Sequence, residues 1–160
     1  MVDRIKKSNY IQVDESPIKV LESEKKKQTH QGYQWVYHSP LDKIIVFHYR
    51  KGRGMHGPKE FLSGYQGYLQ CDGYKVYDKI GKEQGITLVG CIAHARRYFH
   101  QALDNDSARS EYALELFISI YKIERRWKAE DPKMTHQQRR TSINSKLQEL
   151  KTWCEQQIHK

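Results

Sequence analysis

Two aspartates are the residues of this chain best suited to phosphoryl chemistry. Asp14 follows the β-prone run Tyr10–Val13, and Asp72 follows the similar run Tyr68–Cys71. Two strands that end in carboxylates can bring them together at one edge of a sheet, where such oxygen ligands hold a divalent cation. The alternative is that each aspartate forms a turn by accepting hydrogen bonds from nearby backbone amides.

Three arginines are candidate contacts to nucleic acid. Arg96 and Arg97 precede two aromatic residues, a pattern typical of phosphate contact combined with base stacking, although a solvated helix face is an equal alternative. Arg53 lies in the glycine-rich basic loop Lys51–Gly57, which lacks the Gly-Lys-Ser/Thr ending of a Walker loop. Arg53 is therefore a candidate phosphate contact, and the alternative for its loop is a flexible connection.

Cys91 and His94 have the spacing of half a zinc site. A complete zinc site needs four ligands, usually from two paired motifs, and no second Cys-x-x-Cys or His-x-x-x-His pair occurs. The alternative is that Cys91 packs as a small apolar residue while His94 begins a helix near the carboxyl edge of the sheet. There His94 would approach the aspartates or a phosphate of DNA without binding metal.

The overall charge favours a polyanionic partner. The 160 residues carry a formal charge of +9, with a pI near 9.4. No apolar run approaches the roughly 20 residues that span a bilayer, and the first residues do not resemble a signal peptide. Three widely spaced cysteines do not indicate a disulfide framework, so we expect a cytoplasmic protein with no membrane partner.

The hydrophobic pattern predicts an α/β fold. It indicates a three-stranded antiparallel meander followed by alternating helices and strands, in the order β-β-β-α-β-α-β of a mixed sheet. The predicted strands are Tyr10–Val13, Tyr33–Tyr37, Ile44–Tyr49, Tyr68–Cys71 and Ile86–Gly90, and the predicted helices are Pro58–Leu62 and Tyr74–Ile80. A polar loop is predicted at Lys25–His30 and a turn at Ser39–Asp42. Glu15, beside Asp14, is predicted to point to the opposite face of the sheet and to be structural.

From residue 92 onward the pattern is helical. A helix is predicted over His94–Leu103, and a second over Ala108–Ala129 with an apolar face at the helical period. Asp131-Pro132 breaks this pattern, and Thr135 with Gln138 resembles a capping box for a last helix. The apolar face predicted for that last helix comprises Ile143, Leu147, Leu150, Cys154 and Ile158.

Four segments, in order, resemble the transposase of insertion sequence 66, a bacterial DDE-type enzyme. They are similar to its first-aspartate motif, its second strand, its second-aspartate motif and its Cys-x-x-His-Ala-Arg-Arg-aromatic segment. Here these segments are Tyr10–Val20, Gly32–Tyr37, Gly67–Tyr77 and Val89–Phe99. The resemblance extends over residues 10–127, and it is the four motifs together that make it specific.

The resemblance implies a ribonuclease H-like fold followed by an all-helical segment. It implies two Mg²⁺ ions, with Mn²⁺ as an alternative, held by Asp14, Asp72 and a third acid, a glutamate. It also implies that the partner is DNA and that copies of the chain associate in a complete transposition complex.

The third acid has no matching motif in the sequence. Glu111, Glu115 and Glu124 follow the fifth strand, but none lies in a segment like the one expected, and the upstream regions of the family have no counterpart. We therefore expect residues 1–91 to be an incomplete catalytic core and residues 92–160 the start of an insertion domain, inactive alone. Two alternatives stay open: a non-catalytic module that binds nucleic acid or self-associates, and a different metal-dependent nuclease on the same fold.

Overall fold

The fold is described from a computed structural model that covers residues 1–21, 28–129 and 135–158. The chain divides into two units, Met1–Ile92 and Ala93–Lys160. The first unit contains α1 (Val2–Ile5), β1 (Tyr10–Leu21), β2 (Thr29–Ser39), β3 (Ile44–Arg50), α2 (His56–Phe61), β4 (Tyr68–Cys71), α3 (Lys75–Gln84) and β5 (Thr87–Gly90). The second contains α4 (Ile92–Gln101, whose first residue belongs to the first unit), α5 (Ser107–Ala129) and α6 (His136–Ile158).

The five strands form one mixed sheet in the order β3-β2-β1-β4-β5. β1, β2 and β3 are antiparallel neighbours, which confirms the predicted meander. β4 pairs in parallel with β1 on one side and with β5 on the other. Parallel neighbours need crossover connections, and α2 and α3 lie in the two crossovers. The predicted α/β class with a mixed sheet is thereby confirmed.

The first strand is longer than its sequence pattern predicts. The prediction ended it at Val13, but β1 continues to Leu21 because β2 pairs with it along its whole second half. Asp14 therefore lies within β1, and the prediction that the strand ends in this carboxylate is wrong. Pro17 is tolerated because β1 pairs with β4 only over Tyr10–Gln12, so the proline removes no bond of that ladder. Half of the predicted loop Lys25–His30 lies outside the described residues, and its last two residues belong to β2.

One face of the sheet builds the core of the first unit. Alternate residues of β1 and β2 point to this face and are fully buried with residues of β4, α2 and α3. Tyr37 stacks on Phe61 of α2, with ring centroids 3.6 Å apart, and Trp35 meets Tyr77 of α3 edge-on. These aromatic contacts fix both crossover helices against the sheet. The buried hydrophobic residues of this core are Ile5, Ile11, Val13, Trp35, Tyr37, Ile44, Phe61, Leu62, Tyr65, Leu69, Cys71, Tyr77, Ile80 and Ile86.

The second unit is helical, as predicted. α5 buries Ala113, Leu116, Phe117 and Ile120 at helical spacing. α6 begins with the predicted capping box: the Thr135 N–H donates to Gln138 Oε1 (2.9 Å) and the Gln138 N–H to Thr135 Oγ1 (3.2 Å). The predicted apolar face of α6 is only partly buried, with Leu147 and Ile158 exposed. None of the described helices is long and apolar enough to cross a membrane.

Candidate metal centre on neighbouring parallel strands

Asp14 and Asp72 lie at the same offset from a ladder of two parallel strands: Asp14 lies within β1, and Asp72 directly follows β4. The β1–β4 ladder pairs Tyr10 with Tyr68, Ile11 with Leu69 and Gln12 with Gln70, each pair separated by 58 positions. Asp14 and Asp72 have the same separation and lie two residues beyond the last of these pairs. Asp14 is exposed between two buried residues of β1, on the face opposite the core, and Asp72 directly follows the end of β4. Both aspartates thus lie just beyond the paired part of the two strands.

Each of these carboxylates accepts a hydrogen bond from a nearby backbone amide. The Glu15 N–H donates to Asp14 Oδ1, and the Tyr74 N–H donates to Asp72 Oδ1, both at 2.9 Å. The second contact closes a turn between the end of β4 and the start of α3. The turn-forming alternative is thus realised at Asp72, and it orients the carboxylate without preventing its use as a ligand.

A polar network precedes the aspartates on the same face. Gln70 Oε1 accepts hydrogen bonds from the Tyr10 hydroxyl and from Gln12 Nε2, the latter at 3.1 Å. His38 Nδ1 lies 3.0 Å from Gln12 Oε1. The network therefore joins β2, β1 and β4 through Gln12 and Gln70, each two residues before one of the aspartates. It was not predicted from the sequence. The only signal was that polar residues alternate with apolar ones along β1.

Glu15 points to the opposite face, as predicted, and is buried there. Its side chain is 1% exposed. Oε1 accepts from Arg53 Nε (2.7 Å) and lies 2.6 Å from Arg53 Nη2, while Oε2 accepts from the Tyr77 hydroxyl (2.8 Å). The Arg53 guanidinium also lies over the Tyr74 ring, and the Tyr74 hydroxyl donates to the Arg53 carbonyl. We call Glu15, Arg53 and Tyr77 the carboxylate clamp.

The electrostatics of this clamp keep its donors protonated. Its hydrogen bond to Glu15 raises the pKa of Arg53, and the nearby Asp72 charge adds a smaller contribution in the same direction. Burial, followed by the charge of Glu15, raises the pKa of Tyr77 far above its ordinary value. Burial likewise raises the pKa of Cys71 to about 12, so this residue stays a neutral thiol near pH 7. The clamp thus joins β1, the loop before α2 and the first turn of α3 through one buried charge.

The donor set at Asp14 and Asp72 suits a hard cation. Mg²⁺ and Mn²⁺ prefer oxygen ligands such as carboxylates, whereas thiolate and imidazole ligands suit softer metals such as zinc. Within residues 1–21, 28–129 and 135–158, no group of three or more His, Cys, Asp or Glu side chains is gathered as a metal-binding cluster.

Comparison with known proteins decides the family. The profile described as "Transposase IS66 family" matches residues 1–160, the whole chain. The chain belongs to the IS66 family of transposases. The resemblance based on the four motifs is confirmed.

Curated relatives of this IS66 chain include two uncharacterized proteins of Sinorhizobium fredii (strain NBRC 101917 / NGR234). Protein y4qI is 28% identical over 145 residues, covering 82% of this chain and 26% of its own length. Protein y4jD is 25% identical over 118 residues, covering 68% of this chain and 23% of its own. The chain thus spans about a quarter of the length of the curated relatives that it matches.

One solved structure was also similar. A chain from the cryo-EM structure of the simian T-cell lymphotropic virus intasome in complex with PP2A regulatory subunit B56 gamma gives a TM-score of 0.40 at 13% identity. The match covers 87% of the IS66 chain and 46% of the other, and its score does not establish a shared fold.

Three of the four remaining predicted site residues of the IS66 chain lie on α4. His94, Arg96 and Arg97 belong to its first two turns, in the second unit, whereas Arg53 lies in the first unit within the carboxylate clamp. Cys91 is half-buried and its N–H donates to the Cys71 carbonyl. The roles of Arg53, His94, Arg96 and Arg97 in DNA binding stay predictions. Tyr77, which contacts Glu15, was not predicted as a site residue. The only signal was its spacing of three from Tyr74, which placed both tyrosines on one face of the predicted helix.

Proposed function

We propose that this chain is the part of an IS66 transposase that holds metal and contacts DNA, within an enzyme that cuts and joins DNA by two-metal phosphoryl transfer. The observation that carries the proposal is that Asp14 and Asp72 each lie two residues beyond the last pair of the parallel β1–β4 ladder. Membership of the transposase family supports the reaction class. We further propose that the sheet is of the ribonuclease H-like type.

In the proposed mechanism Asp14 and Asp72 are the metal ligands. When bound, Mg²⁺ or Mn²⁺ would activate the attacking oxygen and stabilise the leaving oxygen of the phosphodiester. The backbone amides of Glu15 and Tyr74 orient the two carboxylates. The carboxylate clamp acts from the core side: through contacts of 2.6–2.8 Å it fixes β1, which carries Asp14, and the start of α3, which follows the turn at Asp72. Arg53, Tyr77 and Glu15 are therefore positioning residues in this proposal.

The proposal assigns the DNA contacts to basic residues of both units. Arg53, His94, Arg96 and Arg97 are the predicted contacts, and the charge of +9 supports a polyanionic partner. The third acid is proposed to come from a segment outside these 160 residues, so the chain alone would not cut DNA. Self-association in a complete transposition complex belongs to the same proposal.

A second candidate is a module that binds nucleic acid without catalysis. It is favoured by the basic charge and by the backbone hydrogen bonds that occupy one oxygen of each aspartate. The two candidates differ in one property: only the first requires Asp14 and Asp72 to bind a divalent cation.

Electron paramagnetic resonance of Mn²⁺ separates the two. Titration of the chain should show one saturable Mn²⁺ site that Asp14→Asn and Asp72→Asn each weaken by about 10- to 100-fold or more, since each removes a ligand. Asp3→Asn, which removes the same charge from the exposed α1, is the matched control and should leave the site intact. Equal Mn²⁺ binding by all four proteins would favour the non-catalytic module.

A further inference from the structure

A cleft between α4 and α5 gathers positive charge in the helical unit. Its volume is about 420 Å³, within the range of sites that bind small ligands. Its lining consists of three cations, one tyrosine and two apolar residues: Arg96, Lys122, Arg125, Tyr121, Ile118 and Ala93.

Helical spacing explains why these residues share one cleft. Ile118, Tyr121, Lys122 and Arg125 follow the i, i+3, i+4, i+7 pattern, so they form one stripe along α5. This stripe lies opposite the buried face that contains Leu116 and Ile120. On α4, Arg96 is three residues from Ala93, whose small side chain leaves the cleft open.

Among the described residues, no aspartate or glutamate lines the cleft beside its three cations. In the described part of the helical unit, the ion pairs use other cations, namely Arg109, Arg139, Lys146 and Lys151. Three like charges around one cavity repel each other, and an anion placed between them relieves this repulsion. The charge of the cleft therefore favours an anionic group.

We propose that this cleft binds the sugar–phosphate backbone of DNA. Arg96, Lys122 and Arg125 contact a phosphate, and Tyr121 with Ile118 supplies an apolar surface for the adjoining sugar or base. A free phosphate ion would leave that apolar surface and most of the volume unused. The inference rests on the proposed function in one respect, that the polyanion is DNA, but it does not depend on the metal ligands.

The test compares two variants that lose equal charge in the same unit. Lys122→Ala/Arg125→Ala removes two cations of the cleft, and Arg126→Ala/Arg140→Ala removes two exposed cations of α5 and α6 outside it. Alanine favours helix, so both variants should keep the circular dichroism of the unsubstituted chain. Binding of a fluorescein-labelled duplex of arbitrary sequence is measured by anisotropy between about 50 and 200 mM salt.

The cleft variant should bind the duplex about 2- to 30-fold more weakly, from the usual strength of two solvent-accessible ion contacts. Its log–log salt dependence should be shallower by about 1 to 2, because each lost phosphate contact removes about 0.9 from the slope. The control variant should change less in both quantities. Inorganic phosphate should compete only weakly at equal ionic strength; efficient competition would mean that a simple anion site had been mistaken for a DNA site.

Three other outcomes would overturn the inference. The first is equal duplex binding by the cleft and control variants, and the second is no duplex binding by the unsubstituted chain. The third uses polyglutamate as a polyanion that is not DNA: the cleft variant would lose binding to polyglutamate but keep its binding to the duplex. Failure of the metal proposal is distinguishable, because it appears as unchanged Mn²⁺ binding in Asp14→Asn and Asp72→Asn, whatever the cleft variant does.

Discussion

Removing Arg53 should destabilise the fold through the charge that it leaves behind. The Glu15 side chain is 1% exposed, whereas that of Arg53 is 45% exposed. Arg53→Ala deletes two contacts to Glu15 Oε1 and leaves the Tyr77 hydroxyl as a partner of Oε2. A buried carboxylate would then lack its compensating cation, and this loss rather than the lost packing of Arg53 should dominate the cost.

The magnitude follows from the burial of the two partners. Breaking a fully buried ion pair from one side costs about 3–5 kcal/mol in the free energy of unfolding. Nearly half of Arg53 is in contact with solvent, which screens the pair, so we expect about 2–3 kcal/mol. Tyr77→Phe removes one hydrogen bond to a charged group and should cost about 1.5–3 kcal/mol.

A compensating substitution identifies the cause. If the uncompensated charge is responsible, Glu15→Gln in the Arg53→Ala background should recover about 1–2 kcal/mol, because the amide keeps an acceptor without the charge. The assay is urea denaturation followed by circular dichroism. Lys51→Ala, at an exposed position in the same loop, is the control and should stay within about 0.5 kcal/mol of the unsubstituted chain. The reasoning is refuted if Arg53→Ala resembles Lys51→Ala, or if the double variant is less stable than Arg53→Ala.

Three further expectations concern activity, acid stability and one turn. Residues 1–160 alone should not cut labelled duplex DNA with Mg²⁺ or Mn²⁺ in a gel assay; cleavage abolished by Glu124→Gln would place the third acid within this chain. Burial, followed by the charge of the nearby Arg50, lowers the pKa of His48, so the unfolded state binds more protons than the folded state as the pH falls. The free energy of unfolding should therefore fall as the pH drops below about 6.5, the ordinary pKa of histidine. His48→Gln should flatten the pH profile of the urea midpoint. Gly67 has φ of +153° and an added Cβ would lie 2.8 Å from the Asn9 carbonyl oxygen, so Gly67→Ala should cost about 1–3 kcal/mol or more by the same assay. Gly73→Ala, where a Cβ meets nothing within 4 Å, should cost less.

Local patterns predicted most of the elements because their causes are local. Alternation defined β2 and β3, and the Thr135–Gln138 box marked the start of α6. A proline and a glycine indicated α2, although this helix begins at His56, before the predicted start at Pro58. The end of β1 could not be predicted in this way. Its continuation past Asp14 depends on pairing with β2, which is a long-range contact that no local signal encodes.

The candidate sites show the same difference between features with local causes and features that depend on long-range contacts. The aspartates were identified from their positions after β-prone runs. That they follow the same pair of neighbouring strands at the same offset could be seen only from the topology of the sheet. Glu15 was predicted to point to the face opposite Asp14 and to be structural, yet its partner Arg53 is 38 positions away and had been interpreted only as a candidate DNA contact. Lys122 and Arg125 were not predicted as site residues, because the cleft that they line forms only where α4 lies beside α5.

The central claim is that Asp14 and Asp72 share a divalent cation, and anomalous diffraction from crystals grown with Mn²⁺ tests it most directly. The account predicts a Mn²⁺ peak with carboxylate oxygens of both residues at about 2.0–2.6 Å. Well-ordered carboxylates more than about 8 Å apart, with no Mn²⁺ peak between them, would contradict it.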